Sequence, residues 1–403
     1  DVVIGVVTGY VGNTINYGSN NYPNGTKITN TYNLSDIKSS CEGQIGDTSN
    51  CIEKIENGKK NYYCLSKSED LVEDPSGANR PVLADGMIPI TYDGSNWVKA
   101  NATGVYNEWY DYGNQKWANA VMVTTAKRDT YMNADVGITI PENDILAYYV
   151  WIPRYKYKLF NATYASGNKT ELKGIWAGKF ETTGSKTTPT VKPGVSSLKN
   201  ITVANMYSIG QLYRTTNYLT TNGINQSDSH MMKNIEWGAV AYLKQSNYGL
   251  GITDITINSN NSYTGGGSGT SYKTNIGQST SGNITGVYDM SGGAGEYVMG
   301  NYNKTAGSSG LTVSGVPAEH IDIYSGTSIN ASHLGDAVGE TAGWYDDLWT
   351  FVNSSLPWFV RGGESSSGVQ AGIFRSYSGG PYAIGNGDAY KNNGFRTVLS
   401  VTN

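Results

Sequence analysis

Cysteine is nearly absent from this 403-residue sequence: Cys41, Cys51 and Cys64 are the only three, clustered near the N-terminal end. The rest of the chain cannot hold a disulfide framework, a thiolate metal site or a cysteine redox pair of its own. Within the cluster, Cys41 with Cys51 is the neatest disulfide closure and leaves an odd thiol, although spacing alone does not assign the pairing. A zinc site there would need a fourth ligand, and no histidine lies near. Histidine is just as scarce. His230, His320 and His333 are the only ones, widely spaced and outside any metal-binding repeat, so they read as loop or surface residues.

Charge is sparse too. Asp, Glu, Lys and Arg make up 15% of the chain, with a net charge of -4 and no long Lys/Arg run. That composition lacks the electrostatic footprint of a nucleic-acid or anionic-membrane partner. No apolar run approaches the roughly 20 residues a membrane-spanning helix requires. Asp1–Val7 reads as a strand, and a sequence opening on Asp rather than Met reads as a processed or partial chain.

What is abundant is Gly (51), Tyr (31) and Asn, Ser and Thr. This uncharged polar surface studded with aromatics suits an extracellular β-rich protein better than a cytosolic enzyme. At this length more than one unit is expected. Residues 1–80 form a loop-rich polar region containing the cysteines, with turn signals at Asn24-Gly25 and Asn57-Gly58. Twelve Asn-x-Ser/Thr triplets, such as those at Asn24, Asn161 and Asn283, are what so Asn- and Thr-rich a chain makes by chance. Residues 81–140 carry short strands and read as a small β-rich domain or a β-extension of the unit that follows. There Glu108–Val121 reads as a hairpin turning near Gly113-Asn114, its Trp and Tyr side chains packing on one another rather than on a sugar.

From 141 to 403 the pattern changes again. Ile145–Tyr157, apolar at first and alternating afterwards, opens this unit as a strand; helices are expected over Val203 to about Tyr218 and Met231–Gln245, the second capped by Asp228 or Ser229. Asn247–Thr285, with Gly265-Gly266-Gly267, reads as long surface loops. Near the end, Trp358-Phe359-Val360 runs into Arg361-Gly362-Gly363, and Asn393-Gly394 leads into Phe395-Arg396-Thr397-Val398-Leu399. Between these two strands lie too few periodic apolar residues for a helix and too many turn formers for a long strand.

The Arg-Gly-Gly and Gly-Phe-Arg brackets resemble the closing strands of the formylglycine-generating-enzyme-like branch of the C-type lectin fold. Two upstream segments are similar to that family as well. One is Gly286-Val287-Tyr288-Asp289-Met290-Ser291-Gly292 with Gly295-Glu296-Tyr297; the other is Asn234-Ile235-Glu236-Trp237-Gly238-Ala239-Val240-Ala241. The resemblance spans about Ile145 to Leu399. It implies an α+β domain with an irregular mixed sheet, two flanking helices, and a first strand paired with the last. It also implies a structural calcium near Asp289 and Glu296, although Gly293 and Ala294 depart from the family pattern and Glu296 reads more readily as a cap for local backbone amides.

The family's cysteine oxidation needs a C-terminal cysteine pair that this chain lacks, and the related iron enzymes' three-histidine centre is missing too. Neither a G-x-S-x-G elbow nor a carboxylate pair in glycosidase context is present, Asp346, Asp347 and Glu364 included. No catalysis is therefore expected. The bracketed stretch instead looks like the variable region of lectin-fold receptors diversified by retroelements, such as phage tropism determinants and bacterial surface proteins. Its expected ligand-binding residues are Ser365, Ser367, Arg375, Ser376, Tyr377, Ser378, Tyr382, Asn386, Asp388, Tyr390, Asn392 and Asn393. Tyr377, Tyr382 and Tyr390 would serve as anchors, and Arg375 and Asp388 would give charge selectivity. The expected function is a non-catalytic receptor or adhesin, displayed on a cell or phage surface and binding a protein or glycan. The alternative is a structural subunit of an extracellular filament or surface layer, self-assembling through strand addition.

Overall fold

The computed structural model describes residues 15–17, 20–22, 51–56, 59–64, 76, 78–103, 106–155, 157, 172, 174–220, 226–379 and 384–402. Asp1–Val7, Asn24, Cys41, Asn161 and Tyr382 lie outside them. The chain is α+β, dominated by antiparallel sheet with few helices.

The run Ile145–Ile152 is apolar on both faces because it is a central strand, with seven of its eight residues buried. It sits in a seven-stranded antiparallel sheet ordered Gln226–Met231, Thr397–Thr402, Ile175–Gly178, Ile145–Ile152, Asn119–Val123, Ile88–Tyr92, Trp97–Lys99. The early strands over residues 88–123 are thus hydrogen-bonded into the same sheet as the later ones. Ile145–Ile152 does not pair with the last strand as expected; Ile175–Gly178 lies between them.

A second, mixed sheet is built on Gly295–Tyr302. Trp358–Arg361 pairs with it antiparallel on one side, with Ser376–Tyr377 beyond; Asn393–Phe395 and Asp322–Tyr324 pair with it in parallel. The final segment therefore belongs to both sheets: Asn393–Phe395 to the small one and Thr397–Thr402 to the large one. Arg396 is the residue between them. It is fully buried and donates to both Glu296 carboxylate oxygens (2.6 and 3.2 Å), to the Gly178 carbonyl (2.8 Å) and to the Tyr288 carbonyl (2.9 Å). One guanidinium thus satisfies acceptors from both sheets and from the loop between them.

Two hairpins, Ile15–Tyr17 with Asn20–Tyr22 and Cys51–Glu56 with Lys59–Cys64, precede this core. In the second, the register sets Cys64 opposite Cys51, so the cysteine that spacing left over is the cross-strand neighbour.

The expected hairpin over Glu108–Val121 is replaced by a helical turn at Tyr106–Trp109, a tight turn at Tyr112–Asn114 and the strand Asn119–Val123. Asp111 still bridges Lys116 around Gly113-Asn114. Its aromatics are interior: Trp109, Tyr110, Tyr112 and Trp117 are all buried, and Tyr112 stacks on Trp117. The helix expected from Val203 ends at Gly210 and tightens into a turn over Gln211–Arg214. The next begins at Asn234, not Met231, which closes a strand instead. Its first turn is capped from outside as well as from within: Asp322 accepts from the Ile235 amide and Glu236 from the Lys233 amide, and neither Asp228 nor Ser229 takes part. The stretch read as surface loops over Asn247–Thr285 is irregular, yet it buries Tyr272 against Phe180 and Tyr288.

Removing one partner of a buried ion pair leaves the other uncompensated. Arg396→Met should therefore cost about 3–5 kcal/mol in urea denaturation. Adding Glu296→Gln to it should recover part of that loss; equal stability of Arg396→Met and wild type would show that the junction does not depend on this pair.

Candidate functional site

The bracketed segment rests on three buried arginines. Arg361 ends its strand and turns inward, where its guanidinium donates to the carbonyls of Arg375 (2.9 Å), Asp336 (3.0 Å) and Ala337 (2.7 Å) and to Asn234 Oδ1 (3.0 Å). It also lies over the Trp237 ring. Gly362 and Gly363 follow with φ of 73° and 68°, left-handed values that favour glycine, and a Cβ on Gly363 would meet Ala371 Cα at 2.8 Å. The Arg-Gly-Gly sequence is thus a requirement of the turn that launches the loop. Arg375 then covers the Tyr377 ring at 4.9 Å, and burial pulls its pKa below the usual guanidinium value.

This floor absorbs many residues expected at the ligand. Arg375, Ser376, Tyr377, Ser378 and Asn393 are all buried. Ser376 and Tyr377 form a strand paired with Arg361 and Val360, and Ser378 donates to the Phe351 carbonyl at 2.7 Å. Asn393 is held in the other bracket, where its strand pairs with Gly295–Tyr297. Replacing Tyr377 with Ala is consequently a core truncation, contrary to the anchor role expected of it.

Asn386 is half-buried and ties the loop to Ser308 through 2.8 Å contacts. Ser365, Ser367, Tyr390 and Asn392 are half-buried, and Asp388 is exposed. Those five lie on the solvent side of this segment with Ser366, Gly368, Gln370, Ala389 and Lys391, which are exposed.

Two exposed apolar side chains join them. Val369 is 75% exposed on the turn Ser365–Gln370. Trp349 is 42% exposed on a neighbouring segment, its backbone bridged to Ser376 while the Thr350 amide donates to the Ser376 carbonyl. Sequence reasoning missed both. A lone valine in a Gly/Ser run was a readable sign of exposure, whereas Trp349 sits among apolar neighbours and looks like core.

Asp289 and Glu296 are both buried and act on each other electrostatically, with different hydrogen-bond partners. Asp289 Oδ1 accepts from Asn258 (2.9 Å) and from the Gly265 amide (2.8 Å), while Glu296 is engaged by Arg396. Glu296 holds that cation and does not cap local amides. Burial raises the pKa of both carboxylates, Arg396 opposing it in each.

The histidines depart from expectation. His333 stacks on Tyr324, but His230 and His320 are buried and meet at Asp228. The i, i+2 spacing of Asp228 and His230 on one strand was the readable signal, since alternate residues share a face. No protein-family model matches the chain, and no curated protein matches it.

Beneath Arg361 lies a buried pair of carboxylates. Asp336 accepts from the amides of His333 and Val338 and from the Tyr324 hydroxyl; Glu340 accepts from Tyr157, Tyr242 and the Gly335 amide. Burial, with Glu340 beside it, pushes Asp336 up to about 7 from the usual 3.8. Neutral Asp336 therefore stabilises the fold fully below pH about 4, and this contribution is lost as the pH rises through 7. Chemical denaturation at a series of pH values should show wild type losing on the order of 3 kcal/mol more than Asp336→Asn across that window. Parallel profiles for the two proteins would remove Asp336 as the titrating group.

Proposed function

We propose that the chain is a binding protein whose ligand, a protein or a glycan, docks on the surface formed by the loop 364–370, the segment 386–392 and Trp349. The observation that carries this reading is the contrast between floor and face. Buried Arg361, Arg375 and Arg396 are engaged by backbone carbonyls, a carboxylate or an aromatic ring, while Trp349, Val369, Ser366, Gln370 and Asp388 are all exposed. Exposed aromatic and aliphatic side chains on a rigid base, rimmed by short polar residues, suit recognition at small entropic cost. The α+β architecture and the three motifs that resemble the lectin-like family support this reading, and with it an extracellular setting.

The filament reading has its own observation. Met132, Val136 and Ile138 are exposed on the stretch 132–138, the end of which pairs with the outer edge of Trp97–Lys99 and leaves its own apolar side chains in solvent. Self-assembly blocked by Val136→Asp would favour it.

Two measurements test the binding reading. On arrays of immobilised glycans and cell-surface ectodomains, the combined variant Trp349→Ala, Val369→Ser, Asp388→Ala, Tyr390→Ala should lose at least about tenfold in affinity, with little change in melting temperature. Undiminished binding would move the site elsewhere. In a population of the source organism, sequencing of the segment between the brackets should show substitutions concentrated at adenine-containing codons, with Arg361–Gly363 and Gly394–Arg396 spared. An invariant segment would count against a diversified receptor face.

A further inference from the structure

Asp228 and His230 lie two apart on Gln226–Met231, an edge strand of the large sheet. His320 ends the turn Ala318–His320, just before the small-sheet strand Asp322–Tyr324. The two imidazole rings lie against each other, 4.9 Å between centroids and 19° from parallel. Asp228 Oδ2 is 2.9 Å from His230 Nδ1 and 2.8 Å from His320 Nε2, and the three donor atoms fall within 4.8 Å of one another.

We infer that Asp228, His230 and His320 form a binding site for a divalent transition metal, zinc foremost, that clamps the edges of the two sheets together. Two imidazole nitrogens and one carboxylate oxygen are a donor set suited to zinc, with a water in the fourth position. Solvent can supply that water, since the Asp228 side chain is 32% exposed while both histidines are buried.

The outer partners match a metal centre. His230 Nε2 is 2.9 Å from Glu236 Oε1, and Glu236 is itself fixed by the Lys233 amide. His320 Nδ1 is 3.1 Å from the Tyr207 hydroxyl. Such contacts set the tautomer and aim the other ring nitrogen at the metal. Arg214 contacts Asp228 Oδ1 and leaves Oδ2 as the convergent atom. The inference is independent of the binding reading above.

The full chain, stripped with a chelator, should take up one equivalent of Zn²⁺, and Co²⁺ should give a visible ligand-field band. At a hundredfold excess over the dissociation constant, zinc should raise the melting temperature by roughly 3 °C. Both effects should vanish in Asp228→Asn and in His320→Gln, each checked for folding by circular dichroism, and should persist when all three cysteines are replaced by serine. Calcium should leave the melting temperature unchanged. Absence of uptake, uptake that survives His320→Gln, uptake lost with the cysteines, or an equal effect of calcium would each overturn the assignment.

Discussion

A single buried ion pair holds the architecture together. Arg396 sits where the last segment passes from the small sheet to the large one, and Glu296 lies on the central strand of the small sheet. Withdrawing two charges from water is costly, and their attraction repays it only when the remaining donors and acceptors are also satisfied. Here the guanidinium reaches carbonyls of Gly178 and Tyr288 as well. Shifting the final strand by one residue would turn Arg396 away from these acceptors and strand Glu296 in the interior. The pair thus fixes the register of two sheets together, a specificity that an apolar pair could not impose.

Arg361 repeats this device one layer outward. Its four donor contacts join the strand Trp358–Arg361 to Asn234 on the helix, to the carbonyls of Asp336 and Ala337, and to the carbonyl of Arg375. A loop rich in Gly and Ser has little apolar surface with which to order itself. Anchoring its base by hydrogen bonds to buried arginines lets the tip keep short polar side chains without losing its shape. The division is physical: the residues whose backbone pairs with the small sheet, Ser376, Tyr377 and Asn393, are buried, and Ser366, Val369, Gln370 and Asp388 beyond it are exposed.

The interior is unusually polar, and this polarity has a direction in pH. Glu181, Asp289, Glu296, Asp336, Glu340 and Asp347 all have carboxyl pKa values raised chiefly by burial. Such groups favour the folded state at low pH and weigh against it as pH rises. Asp228 and Glu236, held low by His230 and its neighbours against the opposing effect of burial, act in the opposite sense. The fold therefore balances two populations of carboxylates: one buried among hydroxyls and amides, the other at the histidine cluster between the sheet edges.

Much of this was readable from residue order. The strand opening at Ile145, the Arg-Gly-Gly and Asn-Gly-Phe-Arg brackets and the helix through Trp237 follow from local pattern, because strand alternation, glycine conformations and turn residues are set by neighbours in sequence; the α+β class was expected from the resemblance. The burial of Arg375, Ser376, Tyr377 and Ser378 was not readable, since a short polar strand declares its inner face only once Val360 and Arg361 pair with it. Nor was the meeting of His230 with His320, or the exposure of Trp349. Each depends on segments tens of residues apart packing side by side, and a side chain's surroundings are settled by those non-local contacts rather than by its own type.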